Sequence, residues 1–539
     1  MAQPTSAEPA GKKVFARDAT GLVRELGFRD HLLISQGIVL IINGFVTTVL
    51  FAPYFFPGAN LYAVFALGGI PPLCMAYVYG KLSAGMSRSG GDYVWSTRII
   101  GPIYGTIQVV FLIAALVYYN CFNLWDQFVI GLGPSFFGVG AAVKSASLTT
   151  LATNLASVGW GFPLSMVVLV VIILIALLGI RAYSIFCRIS VPTYLIVVTL
   201  FAIGVGVLSR PDVATSFNNA MAFAGFKTTY SSVISATTAG GYSATAFSLP
   251  NTLLAAIPWG FLTYVGFNFS SYAAGETKNV KTSIYRAYMI SWLVTLIALE
   301  ILTYLVYSSF TTQFLNSLAY VAGATPSAFP VDPFPNFLLS LQDPAIGAIV
   351  GIGLFLGWMI NSTGLVIFSS RMVFAASMDR LLPRSFANVS DRFHSPHVAT
   401  LLIGVLSAAY LTVYWNYGAI ASILNSSILI PIGLGMPLLA AGLLPIVRPE
   451  LYKRLYGSMK NGWLMSVAGF VGAAGFAIYV ISETTPLVSG TFLGANIYYA
   501  YGEVAIIILV ALGILGWGRY RAHQAGTTLH TIFSEIPPE

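Results

Sequence analysis

The sequence predicts an all-α integral membrane protein with about twelve transmembrane helices, and three observations predict it. Hydrophobic residues make up 57% of the 539 positions and charged residues only 8%. Mean hydropathy is +0.81, and apolar runs long enough to cross a bilayer recur twelve times. A soluble chain of this size has to clothe its surface in polar groups, and so few charges do not suffice. A helix that crosses the hydrocarbon core takes roughly 20 apolar residues.

The twelve runs, numbered here as spans 1 to 12, lie at 31–52, 60–80, 103–131, 162–180, 189–208, 252–274, 287–308, 346–370, 398–416, 419–444, 463–482 and 499–517. Basic residues orient them. With the amino terminus in the cytoplasm, 23 of the 26 Lys and Arg fall on cytoplasmic segments, and only Lys144, Arg210 and Lys227 fall outside. One missed span would scramble that division, so the positive-inside rule places both termini on the cytoplasmic side of a cell membrane. The formal charge of +8 is therefore a topogenic signal. Scattered over separate loops, it makes no stripe for a nucleic acid. The polar, charged stretch before span 1 is unlike a cleaved signal peptide. Cys74, Cys121 and Cys187 lie in or beside spans and suggest no disulfide framework.

The expected organisation is a short polar tail at 1–30, a core at 31–444 made of two five-span halves (31–208 and 252–444), two further spans within 445–517, and a second polar tail at 518–539. Segments 209–251 and 309–345, rich in Ser, Thr, Gly and Pro, are expected to fold over the outer mouth. Span 1 carries Gly37, then Asn43 and Gly44 near mid-depth; span 6 carries Pro258 and Gly260, then Thr263 to Gly266. Broken helix survives at membrane depth only where it lines a cavity or is buried in protein. Paired interruptions at matching places in two halves point to a transporter's central site. Glycines that merely let helices pack closely are the plainer reading.

Three stretches carry a family resemblance: YGKLSAGMSRSGGDYVWSTRIIGPIYG (79–105), TYVGFNFSSYAAGETKNVKTSIYRA (263–287) and SSRMVFAASMDRLLPRSFANVSDRFHSP (369–396). In order and spacing they resemble the segments after span 2, along the broken sixth helix and after span 8 in the amino acid, polyamine and organocation transporters. The resemblance covers roughly 25–450. It implies the leucine-transporter type of fold, an inverted repeat of five plus five helices followed by two more, and a secondary transporter (permease) that moves amino acids by alternating access, by symport or exchange.

For a zwitterion, the resemblance places Ile41, Ile42, Asn43, Gly44 and Phe45 over the family's break in span 1. The N–H groups of Ile42, Asn43 and Gly44 are then candidates for the carboxylate, and the carbonyls of Val39, Leu262 and Val265 for the ammonium. Thr263 and Gly266 belong to the break in span 6, and Tyr264 and Phe267 are expected to line the pocket or close it. The sequence departs from the pattern at Ile41 and Ile42, whose branched side chains crowd a site usually lined by small residues. Asn268 stands where an acidic residue is common, which favours a neutral or apolar amino acid over a cationic one. Transport of another small amine, or a substrate-sensing receptor on the same fold, are the alternatives.

Opposed charges near the cytoplasmic face, Glu276 close to Lys278 and Arg371 close to Asp379 and Arg380, read as gate-closing pairs or as solvated loop charges. Glu300 lies mid-span in VTLIALEILTYLVY, as a proton carrier or as a structural carboxyl packed against a neighbour. Asp126 and Glu503, nearer span ends, are expected to reach water. The lysine of some proton-coupled relatives falls near Tyr194 here and has no counterpart. Ser362 and Thr363 offer the oxygens a sodium ion prefers, or bond their own helix. Coupling to protons, to sodium or to neither follows. No cofactor or obligate protein partner is expected, only the amino acid and membrane lipid. An enzyme is disfavoured, because no nucleophile and base pair up and all five His lie in loops, tails or span edges. No phosphate-binding loop is present for an ATP-driven pump.

Overall fold

A computed structural model describes residues 22–208, 210–417, 426–484 and 497–524, together with 528, 529 and 533. Among these residues there is no strand, only isolated β-bridges at Leu26–Thr277 and Ser89–Ala273. Eleven helical stretches are long and apolar enough to cross a membrane: Phe28–Phe55, Leu61–Gly85, Pro102–Ala142, Val158–Leu177, Gly179–Gly206, Val280–Phe310, Pro344–Met378, His397–Asn416, Ile428–Val447, Gly462–Ser482 and Tyr501–Gln524. They correspond to every expected span but the sixth. The protein is thus an all-α, multi-pass membrane protein, with apolar side chains such as Ile189, Val405 and Leu509 turned outward, where lipid accommodates them.

Span 6 fails the continuity test because it is not one helix. Its chain passes from α-helix Leu249–Ala255 into a π-helical turn Ala256–Gly260, then 3₁₀ pieces at Leu262–Tyr264 and Phe267–Tyr272. Span 1 is also divided: Phe28–Val39 and Ile41–Phe55 are separate helices joined at Leu40, whose φ of 53° and ψ of 55° are left-handed. That conformation costs a non-glycine residue roughly 1–2 kcal/mol, so tertiary packing has to hold it.

Several expected boundaries move. Residues 22–30 are not a free tail. Leu26 is buried, the N–H groups of Glu25 and Leu26 both donate to the carbonyl of Glu276, and that of Lys278 donates to Leu26, because buried loop backbone needs partners. Span 3 continues past residue 131 through a π-helical turn at Gln127–Leu132 to Ala142. Span 8 starts at Pro344, capped by the carboxylate of Asp343, which accepts from the N–H groups of Ala345 and Ile346, and runs on to Met378. Residues 518–524, expected as tail, continue the last helix. Residues 1–21, 419–425 of expected span 10 and most of 525–539 lie outside the described residues. Asp126 and Glu503 are buried rather than wetted, since helices pack over both.

The Ser/Thr/Gly-rich segments form short helices, Arg210–Phe223, Tyr230–Ala239, Thr312–Ala324 and Pro335–Gln342. They are tied to the end of span 1: the Tyr242 hydroxyl donates to the Pro53 carbonyl at 2.8 Å, and the Ser248 N–H to Gly58 at 2.9 Å. This end of the bundle lies opposite the face that carries most Lys and Arg, called here the basic face.

Candidate functional site

The two interrupted helices meet at their interruptions. Gly266 has a φ of 116°, open to glycine and to few other residues. A Cβ there would lie 2.5 Å from Ile38 Cγ2 and 3.2 Å from the Ile38 carbonyl oxygen. One turn away, a Cβ on Gly44 would lie 3.1 Å from Thr263 Cγ2. Small residues thus set the backbone of span 6 directly on the backbone of span 1, on both sides of Leu40.

Opening a helix leaves peptide groups without intrahelical partners, and side chains from spans 5 and 8 take them up, braced by one from span 3. The Ile42 N–H donates to the Tyr194 hydroxyl of span 5 at 3.0 Å. That hydroxyl donates in turn to Asn43 Oδ1 at 2.9 Å, while Asn43 Nδ2 donates to the Leu354 carbonyl of span 8 at 3.0 Å. On the other side of the break, Asn361 Nδ2 of span 8 donates to the Ile38 carbonyl at 2.5 Å, and Asn123 Nδ2 of span 3 donates to Asn361 Oδ1 at 3.0 Å. The Gly44 N–H donates to Leu40.

Of the residues expected from the sequence, Gly44 meets Thr263 and Gly266 meets Ile38, the neighbour of Val39, while Ile42 and Asn43 are joined through Tyr194; the side chain of Leu262 lies outside the described residues. Tyr264 and Phe267 pack away into neighbouring helices. Tyr264 donates to the Phe65 carbonyl of span 2 at 3.1 Å, and Phe267 sets its ring 5.5 Å from Tyr288 of span 7. Phe45 lies 6.1 Å from Phe65. Asn268 is fully buried, and neither its Oδ1 nor its Nδ2 has a hydrogen-bond partner. At the end of span 1 away from the basic face, an aromatic cluster comes from residues the sequence did not single out. Trp259 stacks on Phe55 at 6.2 Å and lies 5.8 Å from Phe51, which meets Phe334 edge-on at 5.7 Å.

At the basic face the charges pair differently from the sequence expectation. Glu276 is paired with Arg371 rather than Lys278: Nε donates to Oε1 at 2.5 Å and Nη2 to Oε2 at 3.0 Å, with both side chains 1% exposed. Asp379 is paired with Arg98 rather than Arg371, at 2.8 and 3.0 Å, and accepts from the Tyr93 hydroxyl at 2.9 Å. Proximity along the chain misled because both partners come from other elements. Lys278 is exposed and lines a surface pocket with Glu25, Arg181 and Arg188. Two-pronged, buried Arg–carboxylate pairs are the strong kind. Arg98 is marked in the sequence by its place within the first of the three stretches.

The same stretch supplies Asp92. Its Oδ2 accepts from Tyr79 at 2.9 Å and Tyr272 at 2.7 Å. Burial pushes its carboxyl up to about 7, against the Tyr272 and Tyr79 hydroxyls that hold it down. The glycines before it are placed for close approach: Gly90, with φ of 92°, lies against Ala375 of span 8, and a Cβ on Gly91 would lie 2.7 Å from the Tyr272 ring. The Gly90 N–H donates to Tyr272 at 3.1 Å, clasping spans 3, 6 and 8 together.

Of the candidate coupling groups, Ser362 is fully buried and its hydroxyl has no hydrogen-bond partner. Thr363 donates to its own chain, at the Met359 carbonyl, at 2.7 Å. Glu300 is half-buried, within electrostatic reach of Tyr62 and Tyr264, and one of its oxygens is buried without a partner.

Comparison with known proteins adds a family. A family model described as amino acid permease matches residues 26–512. The methylthioribose transporter of Bacillus subtilis (strain 168) is 24% identical over 415 residues, covering 75% of this chain and 78% of its own length. The branched-chain amino acid permease BcaP of the same organism is 25% identical over 397 residues, 72% and 74% of the two chains. The BcaP of Lactococcus lactis subsp. cremoris (strain MG1363) is 22% identical over 484 residues, 88% and 94% of the two chains.

Proposed function

The chain belongs to the amino acid permease family and is a membrane transporter, not an enzyme; we propose that it carries amino acids with neutral or apolar side chains across the cell membrane by alternating access. The observation that carries this reading is the meeting of the two interruptions, Gly266 on Ile38 and Gly44 on Thr263. It concentrates peptide dipoles where lipid would otherwise forbid them. The absence of a carboxylate at Asn268 supports a neutral side chain. Two relatives are named as branched-chain amino acid permeases, which favours the same class.

In this reading the basic face is cytoplasmic, as the distribution of Lys and Arg favours, and both termini lie there. The pairs Glu276–Arg371 and Arg98–Asp379 close the inner gate, and the Phe51, Phe55, Trp259 and Phe334 rings narrow the outer path. The inner pairs have to break for substrate to leave, so the state described here is closed to the cytoplasm. Ser362 supports sodium coupling through its unpartnered buried hydroxyl, a hard oxygen ligand beside the break in span 1. Glu300 supports proton coupling. A second reading, an uncharged substrate like that in the name of the methylthioribose transporter, is favoured by one contact: the Ile42 N–H already has a partner in Tyr194.

Counterflow in proteoliposomes with a panel of amino acids and methylthioribose, varying sodium and pH separately, tests all of this. Exchange of a neutral amino acid is the expected result. Exchange of methylthioribose alone would move the substrate to the second reading, and binding without flux would make the protein a receptor.

A further inference from the structure

Within the amino acid reading, we propose that Tyr194 is a displaceable internal occupant of the carboxylate position, so that it sets how well the site tolerates a carboxylate and reports its arrival. The hydroxyl accepts from the Ile42 N–H at 3.0 Å, one of the first donors of the half-helix that starts at Ile41. The start of a helix is where an anion binds best, because its N–H groups and dipole both face the ligand. A hydroxyl satisfies such a donor without bringing charge. The donor is therefore not left orphaned when the site is empty, and a carboxylate has to evict a buried hydrogen bond to use it.

Eviction has a defined consequence. The hydroxyl proton is held by Asn43 Oδ1 at 2.9 Å, and the amide of Asn43 holds the Leu354 carbonyl at 3.0 Å. Movement of Tyr194 therefore releases Asn43 and loosens a bridge that ties span 1 to spans 5 and 8. The ring has little room to remain beside the vacated place. A Cβ on Gly357 would already lie 2.8 Å from Tyr194 Cε2 and 3.0 Å from Asn43 Oδ1. A substrate that lacks a carboxylate leaves the hydroxyl where it is and has no such effect.

The test compares L-leucine with L-leucinol, which keeps the side chain and amine but replaces the carboxylate by a hydroxymethyl group. Binding of each to the purified full-length protein is measured by calorimetry for wild type and Tyr194→Phe, which keeps the ring and its packing. The expected result is leucine binding about tenfold tighter in the variant, the size of one buried hydrogen bond no longer to be evicted, with leucinol unchanged. Asn43→Ala, which removes the hydroxyl's other anchor, is expected to shift leucine in the same direction and serves if the Phe variant does not fold. Leucine bound equally by all forms, or leucine and leucinol shifted alike, overturns the role of Tyr194 while leaving amino acid transport standing. No amino acid bound by wild type or by either variant overturns both.

Discussion

Gly266 of span 6 rests on Ile38, the residue two before the left-handed turn of span 1, with its φ at 116°. Gly266→Ala therefore meets two obstacles at once, a side chain 2.5 Å from Ile38 Cγ2 and a backbone conformation alanine resists by about 1–2 kcal/mol. The expected outcome is loss of transport with destabilisation of about 2–4 kcal/mol, read as uptake in proteoliposomes and thermal unfolding in detergent. Gly225, at a positive φ with open space around its Cβ position, is the control: Gly225→Ala pays only the backbone cost.

Arg371 and Glu276 form a sealed pair, so removing one charge strands the other. Glu276→Gln is expected to destabilise the protein by about 3–5 kcal/mol and to favour the state open toward the basic face. The double exchange Glu276→Arg with Arg371→Glu restores part of the loss. Labelling of a cysteine introduced at Ser35, whose hydroxyl donates to the Phe267 carbonyl at 2.8 Å, reads gate opening; no gain in labelling for Glu276→Gln would remove the pair from the gate.

Asp92 lies outside the spans, and burial lifts its carboxyl from its ordinary range to about 7. A carboxyl whose folded pKa is raised favours the folded state in its protonated form. Its contribution is complete below the unfolded value, near 4, and is lost as pH rises through about 7. Asp92→Asn should flatten the fall in melting temperature between pH 5 and 8, intervals chosen to bracket that change. A wild-type melting temperature independent of pH over that range, or the same slope in the variant, would count against this assignment.

Ser362 and Thr363 are neighbours with different expected phenotypes, because Thr363 already bonds its own helix and Ser362 does not. Where uptake depends on sodium, Ser362→Ala should raise the half-saturating sodium concentration at least about tenfold, the loss of one oxygen ligand in a closed site, and Thr363→Ala should change it far less. Glu300→Gln should abolish pH dependence if protons are coupled. Sodium dependence unchanged in Ser362→Ala would exclude Ser362 from coupling, and pH dependence unchanged in Glu300→Gln would exclude Glu300.

The sequence by itself determined the spans and the two places where backbone is freed. Span lengths follow from the thickness of hydrocarbon, and Pro258, Gly260 and Gly266 mark span 6 as unable to remain one helix. It also singled out Glu276, Arg371 and Asp379, but not Arg98. It did not locate the left-handed residue of span 1, since nothing in Val39–Leu40–Ile41 marks Leu40; packing of Gly266 and the bonds of Asn361 to Ile38 and Tyr194 to Ile42 impose that turn from outside. Nor did it choose partners. Arg98 finds Asp379, Arg371 finds Glu276, and Tyr194 finds Ile42 across separations of more than a hundred residues in two of the pairs and nearly as many in the third. The hydrophobic pattern sets which segments are buried, but a buried donor takes whichever acceptor the assembled bundle brings within hydrogen-bonding reach.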